Sequence, residues 1–131
     1  MTLYRLSAAC IAPSVFGTIA LRVWLRMSGD GETFTEAMWG MYRFYTIWTN
    51  TLIGVVCGVI AMGRSASPRI LSNLLLSIII VAVVYHALLA HLNDFTGLDA
   101  LVDTMLHTAI PQACVGFWLV FARKSDLVFK D

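Results

Sequence analysis

Charged residues are scarce in this chain. Only 13% of its 131 residues are charged, whereas soluble globular domains carry about a quarter. Hydrophobic residues make up 59% of the sequence and the mean hydropathy is +0.78. This composition argues against a soluble globular domain and indicates an integral membrane protein.

Two further absences narrow the possible functions. The nine basic residues are scattered along the chain, so a nucleic-acid-binding surface is not expected. The three cysteines, Cys10, Cys57 and Cys114, lie in separate apolar runs without the CxxC spacing of zinc or redox sites. We expect them to be small packing residues.

Four apolar runs are long enough to cross a membrane, which takes about 20 helical residues each. The sequence therefore predicts an all-α integral membrane protein with one transmembrane domain over residues 1–131. Its helices are expected at about residues 4–24, 41–62, 70–92 and 104–122, packed in a bundle. Segments 28–40 and 93–103 are expected to be polar loops, and part of the first is expected to form a short interfacial helix. No signal-peptide cleavage site of the A-x-A type follows Arg5, so we expect the first span to be retained.

The basic residues predict the orientation of this bundle. With four spans, the N-terminus, the loop at 63–69 and the tail share one side. Six basic residues fall on that side: Arg5, Arg64, Arg69, Arg123, Lys124 and Lys130. The other side has three, Arg22, Arg26 and Arg43, and most of the acids. We expect the protein to lie in the inner (plasma) membrane. The positive-inside rule then predicts that both termini are cytoplasmic.

A polar stripe lies at the start of the second apolar run. Thr46, Thr49 and Asn50 are three and four residues apart, so they share one face of a helix. Polar side chains within a span usually face the bundle interior or a water-filled cavity. They could simply join helices, or the threonines could bond to their own backbone.

Histidines occur at a matching depth in the later spans. Counting about 1.5 Å per helical residue places Thr46, Asn50, His86 and His107 in one layer roughly 5–14 Å below the outer surface. Pro111 follows His107 by four residues and cannot donate to its carbonyl, which is left for another partner. His86 could equally be a packing histidine, and His91 an interfacial one.

This layer contains the groups that acyl transfer needs. Threonine becomes a nucleophile when a base such as histidine removes its proton. Thr46 and His107 are the candidate catalytic pair, and Thr49, Asn50, His86 and Gln112 are candidate supporting or binding residues. Zinc ligation is the alternative, by His86, His91 and His107 with Asp94, Asp99 or Asp103. Because His86 and His91 are five residues apart, they suit one helical face poorly, so we expect no metal and no cofactor.

Three short segments resemble the bacterial Pr6Pr membrane proteins. They are Phe44-Tyr45-Thr46-Ile47-Trp48-Thr49-Asn50, Tyr85-His86 with Leu88-Leu89, and Leu106-His107-Thr108 followed by Pro111. That family is similar in turn to the eukaryotic androgen-induced protein family, which hydrolyses fatty acid esters of hydroxy fatty acids. The resemblance implies that Thr46 is a nucleophile and His107 its partner. It also implies a fold of six spans, of which this chain has the first four.

The resemblance therefore predicts a membrane hydrolase of lipid esters. The rival expectation is a non-catalytic protein that binds or carries a lipid or small molecule in an outer-leaflet polar cavity, and a purely structural subunit is a third. Membrane lipid is the expected partner. The tail at 124–131 stops before a fifth span, so the chain could be a short member of the family, a fragment, or a protein that replaces the fifth and sixth helices by forming a homo-oligomer.

Overall fold

The computed structural model describes residues 1–123, so the predicted cytoplasmic tail at 124–131 lies outside the described residues. Residues 1–123 form helices joined by short turns, with no β-strand in this range, which confirms the all-α prediction. The helices are α1 (Leu3–Gly29), α2 (Phe34–Met41), α3 (Tyr45–Ala61), α4 (Pro68–Val84), α5 (Gly97–Thr104) and α6 (Ile110–Phe121). A π-helical turn (Tyr85–Leu89) and a 3-10 turn (Ala90–Leu92) extend α4, and a second π-helical turn (Met105–Ala109) joins α5 to α6.

Three of these helical segments are long and apolar enough to cross a membrane. They are Leu3–Gly29, Pro68–Leu92 and Gly97–Phe121. The α2–α3 pair would be a fourth crossing if it is counted as one broken span, because its two helices meet at an angle of 97°. The coarser prediction of a helical protein with several membrane-compatible helices is thus confirmed.

Two predicted boundaries were wrong. The second apolar run does not form one helix from residue 41, because α2 ends at Met41 and α3 begins only at Tyr45. The segment predicted as an acidic loop at 93–103 is helical from Gly97, so the last helix begins seven residues earlier than predicted. Asp99 and Asp103 find partners on other elements, which lowers the cost of placing these acids in a helix within the bundle.

Local sequence signals start the helices. Thr33 and Glu36 form a reciprocal capping box at the start of α2. Ser67 caps α4, and Pro68 occupies the first turn, where its missing N–H would have had no helical partner. The short helix predicted within residues 28–40 forms as α2, which spans Phe34–Met41.

The long helices surround a common core, with α1 against α3, α3 against α4, α4 against α6, and α6 against α1. Buried side chains of α1 recur at helical spacing, as at Ala8, Ile11, Val15 and Ile19. They face α3, where a Cβ on Gly54 would lie 3.0 Å from side-chain atoms of Val15 and Phe16. Large apolar side chains on the outer faces remain exposed, as expected for a surface in contact with lipid.

Candidate functional site

A cavity of about 320 Å³ opens at the end of the bundle near the start of α3. Its walls come from α1, the α2–α3 bend, the π-helical turn after α4, and the segment from α5 into the second π-helical turn. Most of the lining is apolar. The polar groups in its wall belong to Arg22, Arg26, Thr46, Tyr85, Asn93, Asp99, Asp103 and His107.

Thr46 lines this cavity from the first turn of α3 and is half-buried. Phe44, the N-cap residue, provides no side-chain cap, so the early N–H groups of α3 depend on other partners. Ile47 and Trp48 donate to the Phe44 carbonyl, whereas no backbone hydrogen bond from Tyr45 or Thr46 occurs within residues 1–123. The backbone beside the Thr46 hydroxyl therefore presents free donors.

Asn50 lies behind Thr46 and is completely buried. Its Nδ2 donates to the Thr46 carbonyl at 2.8 Å and lies 3.5 Å from the Leu106 carbonyl, so it links α3 to the second π-helical turn. Its Oδ1 is the one buried side-chain polar atom in the described part of the chain without a hydrogen-bond partner. Thr49 is also buried and does not line the cavity.

His107 reaches the same cavity from the second π-helical turn. Its Nδ1 lies 3.0 Å from the Asp103 carbonyl oxygen and 3.2 Å from Asp103 Oδ1. Both neighbours are acceptors, so they favour the tautomer with the proton on Nδ1. Nε2 then carries the lone pair and has no hydrogen-bond partner within residues 1–123.

Tyr85 contacts both Asp103 and His107 from the turn that follows α4. Its ring stacks on the His107 ring, with centroids 3.8 Å apart and planes 12° apart. Its hydroxyl donates to Asp103 Oδ2 at 2.5 Å. The three side chains therefore form one connected group against the cavity wall.

The two π-helical turns bring these residues together. Ala90 N–H donates to the Tyr85 carbonyl and Ile110 N–H to the Met105 carbonyl, each five residues back. Such turns are rare and occur frequently at functional sites. Pro111, which lacks an N–H, is the second residue after the second turn.

Pro111 leaves the His107 carbonyl available, as the sequence predicted, and His86 occupies it. His86 Nε2 lies 3.2 Å from that carbonyl oxygen and 3.0 Å from Thr108 Oγ1. A proton on Nε2 would let His86 donate to the carbonyl. His86 itself is exposed and does not line the cavity, so any support that it gives acts through the backbone of His107.

The structure brings some predicted site residues together and separates others. Thr46 and His107 line one cavity, although no hydrogen bond joins them within the described residues. Gln112 is exposed in a different groove of about 250 Å³ between α4 and α6 and does not line the cavity. His91 is also exposed, and residues 1–123 contain no cluster of three side chains able to hold a metal.

The sequence interpretation named Asp103 only as a possible zinc ligand and Tyr85 only as part of a short motif, so it missed their contacts with His107 and the ion pairs of Arg22 and Arg26. Asp103 and His107 are four residues apart, and this spacing would have indicated their contact had the segment been predicted as a helix. Arg22 bonds Asp99 at 2.5 Å across α1 and α5. Arg26 bonds both oxygens of Glu32, at 2.7 and 2.6 Å. Both arginines line the cavity, and each is paired with an acid.

No protein-family model matches this chain, and no curated protein or solved structure matches it significantly.

Proposed function

We propose that this protein is a membrane hydrolase that cleaves lipid esters with Thr46 as nucleophile and His107 as base. The observation that carries the proposal is that both side chains line one largely apolar cavity. The contact of His107 Nδ1 with Asp103 supports it, because it leaves Nε2 unprotonated as a base requires. The resemblance to the Pr6Pr and androgen-induced protein families selects the same two residues.

The reaction would proceed through an acyl-threonine. Thr46 Oγ1 bonds to the ester carbonyl carbon while its proton passes to His107 Nε2. The tetrahedral intermediate then releases the alcohol, which takes that proton as the carbon–oxygen bond breaks. Water attacks the acyl-threonine, gives a proton to Nε2, and releases the fatty acid as Thr46 Oγ1 recovers its proton.

Free backbone donors would stabilise the charge that develops on the ester oxygen. The N–H groups of Tyr45 and Thr46 have no backbone partner in the described structure and lie at the positive end of α3. Donors of this kind form oxyanion holes in acyl-transfer enzymes, where losing one costs about 10²–10³ in rate. The substrate ester would therefore lie with its carbonyl oxygen toward the first turn of α3.

The proposal includes a membrane arrangement. In it, α1, α3, the helix beginning with α4 and the helix beginning with α5 are four spans, and α2 lies along the surface. The 17 residues of α3 would extend about 25 Å at 1.5 Å per residue, close to the hydrocarbon thickness. The cavity would then open toward the outer leaflet of the inner membrane, with the N-terminus in the cytoplasm.

Labelling with a fluorophosphonate tests the nucleophile. The probe forms an oxygen–phosphorus bond and loses fluoride only at an activated hydroxyl. We expect labelling of the protein in native membranes, mapped by mass spectrometry to Thr46. Thr46→Ala removes the acceptor atom and His107→Ala the base, so each variant should lose at least about 100-fold in labelling rate.

Thr51→Ala is the matched control. Thr51 lies on the same helix, but its hydroxyl bonds the Ile47 carbonyl at 2.7 Å and Tyr42 at 3.0 Å, away from the cavity wall. This variant should label like the parent protein. Labelling that persists in Thr46→Ala, or its absence from a parent protein shown to be folded and inserted, would refute the mechanism.

A second function is favoured by one observation: no hydrogen bond joins Thr46 to His107 in the described structure. The cavity would then bind a lipid or small molecule without reacting with it. Saturable binding of a fluorescent fatty acid that Thr46→Trp abolishes by filling the cavity, together with no covalent labelling, would support this function over hydrolysis.

A further inference from the structure

His107 contacts an acid of its own helix. Asp103 precedes it by one turn, and both Asp103 acceptors face His107 Nδ1, the carbonyl oxygen at 3.0 Å and Oδ1 at 3.2 Å. The side chains of His107 and Asp103 are only 15% and 21% exposed. Water therefore competes weakly for this contact.

The second carboxylate oxygen of Asp103 is also occupied. Tyr85 donates its hydroxyl to Oδ2 at 2.5 Å, which fixes the rotation of the carboxylate and leaves Oδ1 for His107. The stacked Tyr85 ring covers one face of the His107 imidazole and limits the rotation of the imidazole. Tyr85 is buried, with 7% of its surface exposed, so its position is set by packing.

We propose that Asp103 and Tyr85 are positioning residues that together orient His107. Asp103 holds the proton on Nδ1 and provides a negative charge beside the imidazolium that forms when Nε2 accepts a proton. Tyr85 holds the Asp103 carboxylate and the plane of the ring. The catalytic consequence rests on the proposed hydrolase function, whereas the orientation of His107 does not.

The tautomer of His107 tests the orientation without any enzymatic assay. The full chain, labelled with ¹⁵N-histidine in detergent micelles, reports the protonation of each ring nitrogen by NMR at about pH 8, where neutral histidine predominates. The His107 signals are assigned as those missing from His107→Asn. We expect the parent protein to show the proton on Nδ1.

Two variants separate the roles. In Asp103→Asn, the backbone carbonyl still accepts from Nδ1, but the carboxylate charge is lost and the new amide can donate to Nδ1, so the Nε2–H form should appear beside the Nδ1–H form. In Tyr85→Phe, the carboxylate loses its fixed rotation while the aromatic stacking stays, so both tautomers should appear. Because Tyr85→Phe is nearly isosteric, it tests the proposal even if Asp103→Asn fails to fold.

Two controls use neighbouring groups of the same chemistry. Asp99→Asn changes an acid of the same helix that pairs with Arg22, and Tyr45→Phe changes an exposed tyrosine on α3. Neither should alter the His107 tautomer. An unchanged tautomer in both Asp103→Asn and Tyr85→Phe, or an Nε2–H form in the parent protein, overturns the proposal.

Labelling rates then connect orientation to catalysis. If Thr46 labels, Asp103→Asn should slow the reaction by about 10²–10⁴-fold, the contribution typical of a positioned general base. Tyr85→Phe should slow it by about 10-fold, with half-saturating probe concentration unchanged in both.

If the expected tautomers are found but Thr46 never labels, the orientation stands and the hydrolase function fails. If Thr46 labels at the parental rate in both variants, the positioning role fails and the Thr46–His107 pair stands.

Discussion

Single residues determine how closely the helices approach around the site. Gly54 is the clearest case, since its missing side chain lets α3 contact Val15 and Phe16 of α1. Asn50 is another, because its amide links two segments that are distant in sequence and carry the candidate nucleophile and base. The polar stripe in the sequence identified Asn50 as an inward-facing residue. Nothing in the sequence showed that its partners would be backbone carbonyls.

Gly54→Val should destabilise the folded protein. Its Cβ would meet Val15, which is fully buried and cannot move aside, so we expect a loss of about 1–3 kcal/mol. Unfolding in mixed micelles with increasing denaturing detergent measures this change. Gly58→Val is the control on the same helix, where an added Cβ has no neighbour within 4 Å. Equal stability of the two variants would show that close packing at Gly54 is unimportant.

At the scale of the helices, the sequence predicted the elements that form the site least well, namely α5 and the two π-helical turns. Apolar runs predicted the long helices because burial in lipid and in the core follows composition. The start of α5 was missed because Asp99 and Asp103 look like loop residues until Arg22 and Tyr85, from other helices, are placed beside them. The π-helical turns were equally hidden, since one extra residue in a turn leaves little trace in an apolar pattern.

The capping box at the start of α2 stabilises this short helix. Thr33 Oγ1 accepts from the Glu36 N–H at 3.3 Å, and Glu36 accepts from the Thr33 N–H at 2.8 Å. Thr33→Ala should cost about 1 kcal/mol of local helix stability. Faster hydrogen–deuterium exchange of α2 amides in nanodiscs would show this loss. Thr35→Ala, an exposed position inside the helix, should leave the exchange close to parental. Parental exchange in Thr33→Ala would show that the capping box contributes nothing.

At the scale of the whole molecule, two paths of the chain through the membrane are compatible with these helices. If α3 crosses, the loop at 63–67 lies on the cytoplasmic side and the loop at 93–96 outside. If the α2–α3 pair is re-entrant, these two loops exchange sides. The distribution of basic residues predicts the first arrangement, because Arg64 lies in the 63–67 loop and Arg69 follows it in the first turn of α4.

Cysteine accessibility distinguishes the two arrangements. In a variant with Cys10, Cys57 and Cys114 replaced by alanine, Ser65→Cys and Asp94→Cys are compared in intact spheroplasts with a membrane-impermeant maleimide. We expect Asp94→Cys to react before lysis and Ser65→Cys only after it. Permeabilised cells give the maximum labelling of each site. The reverse pattern would establish a re-entrant pair and three spans.

The ion pair between Arg22 and Asp99 has a consequence for the synthesis and membrane insertion of this protein. The two residues are 77 positions apart, so Arg22 enters the translocation machinery long before its acid has been synthesised. A nascent chain would carry that guanidinium in or near the membrane without its counter-charge. It would also carry Thr46 without His107 beside it. Synthesis of α5 and of the π-helical turn that follows it would then pair this charge and supply the last wall of the cavity.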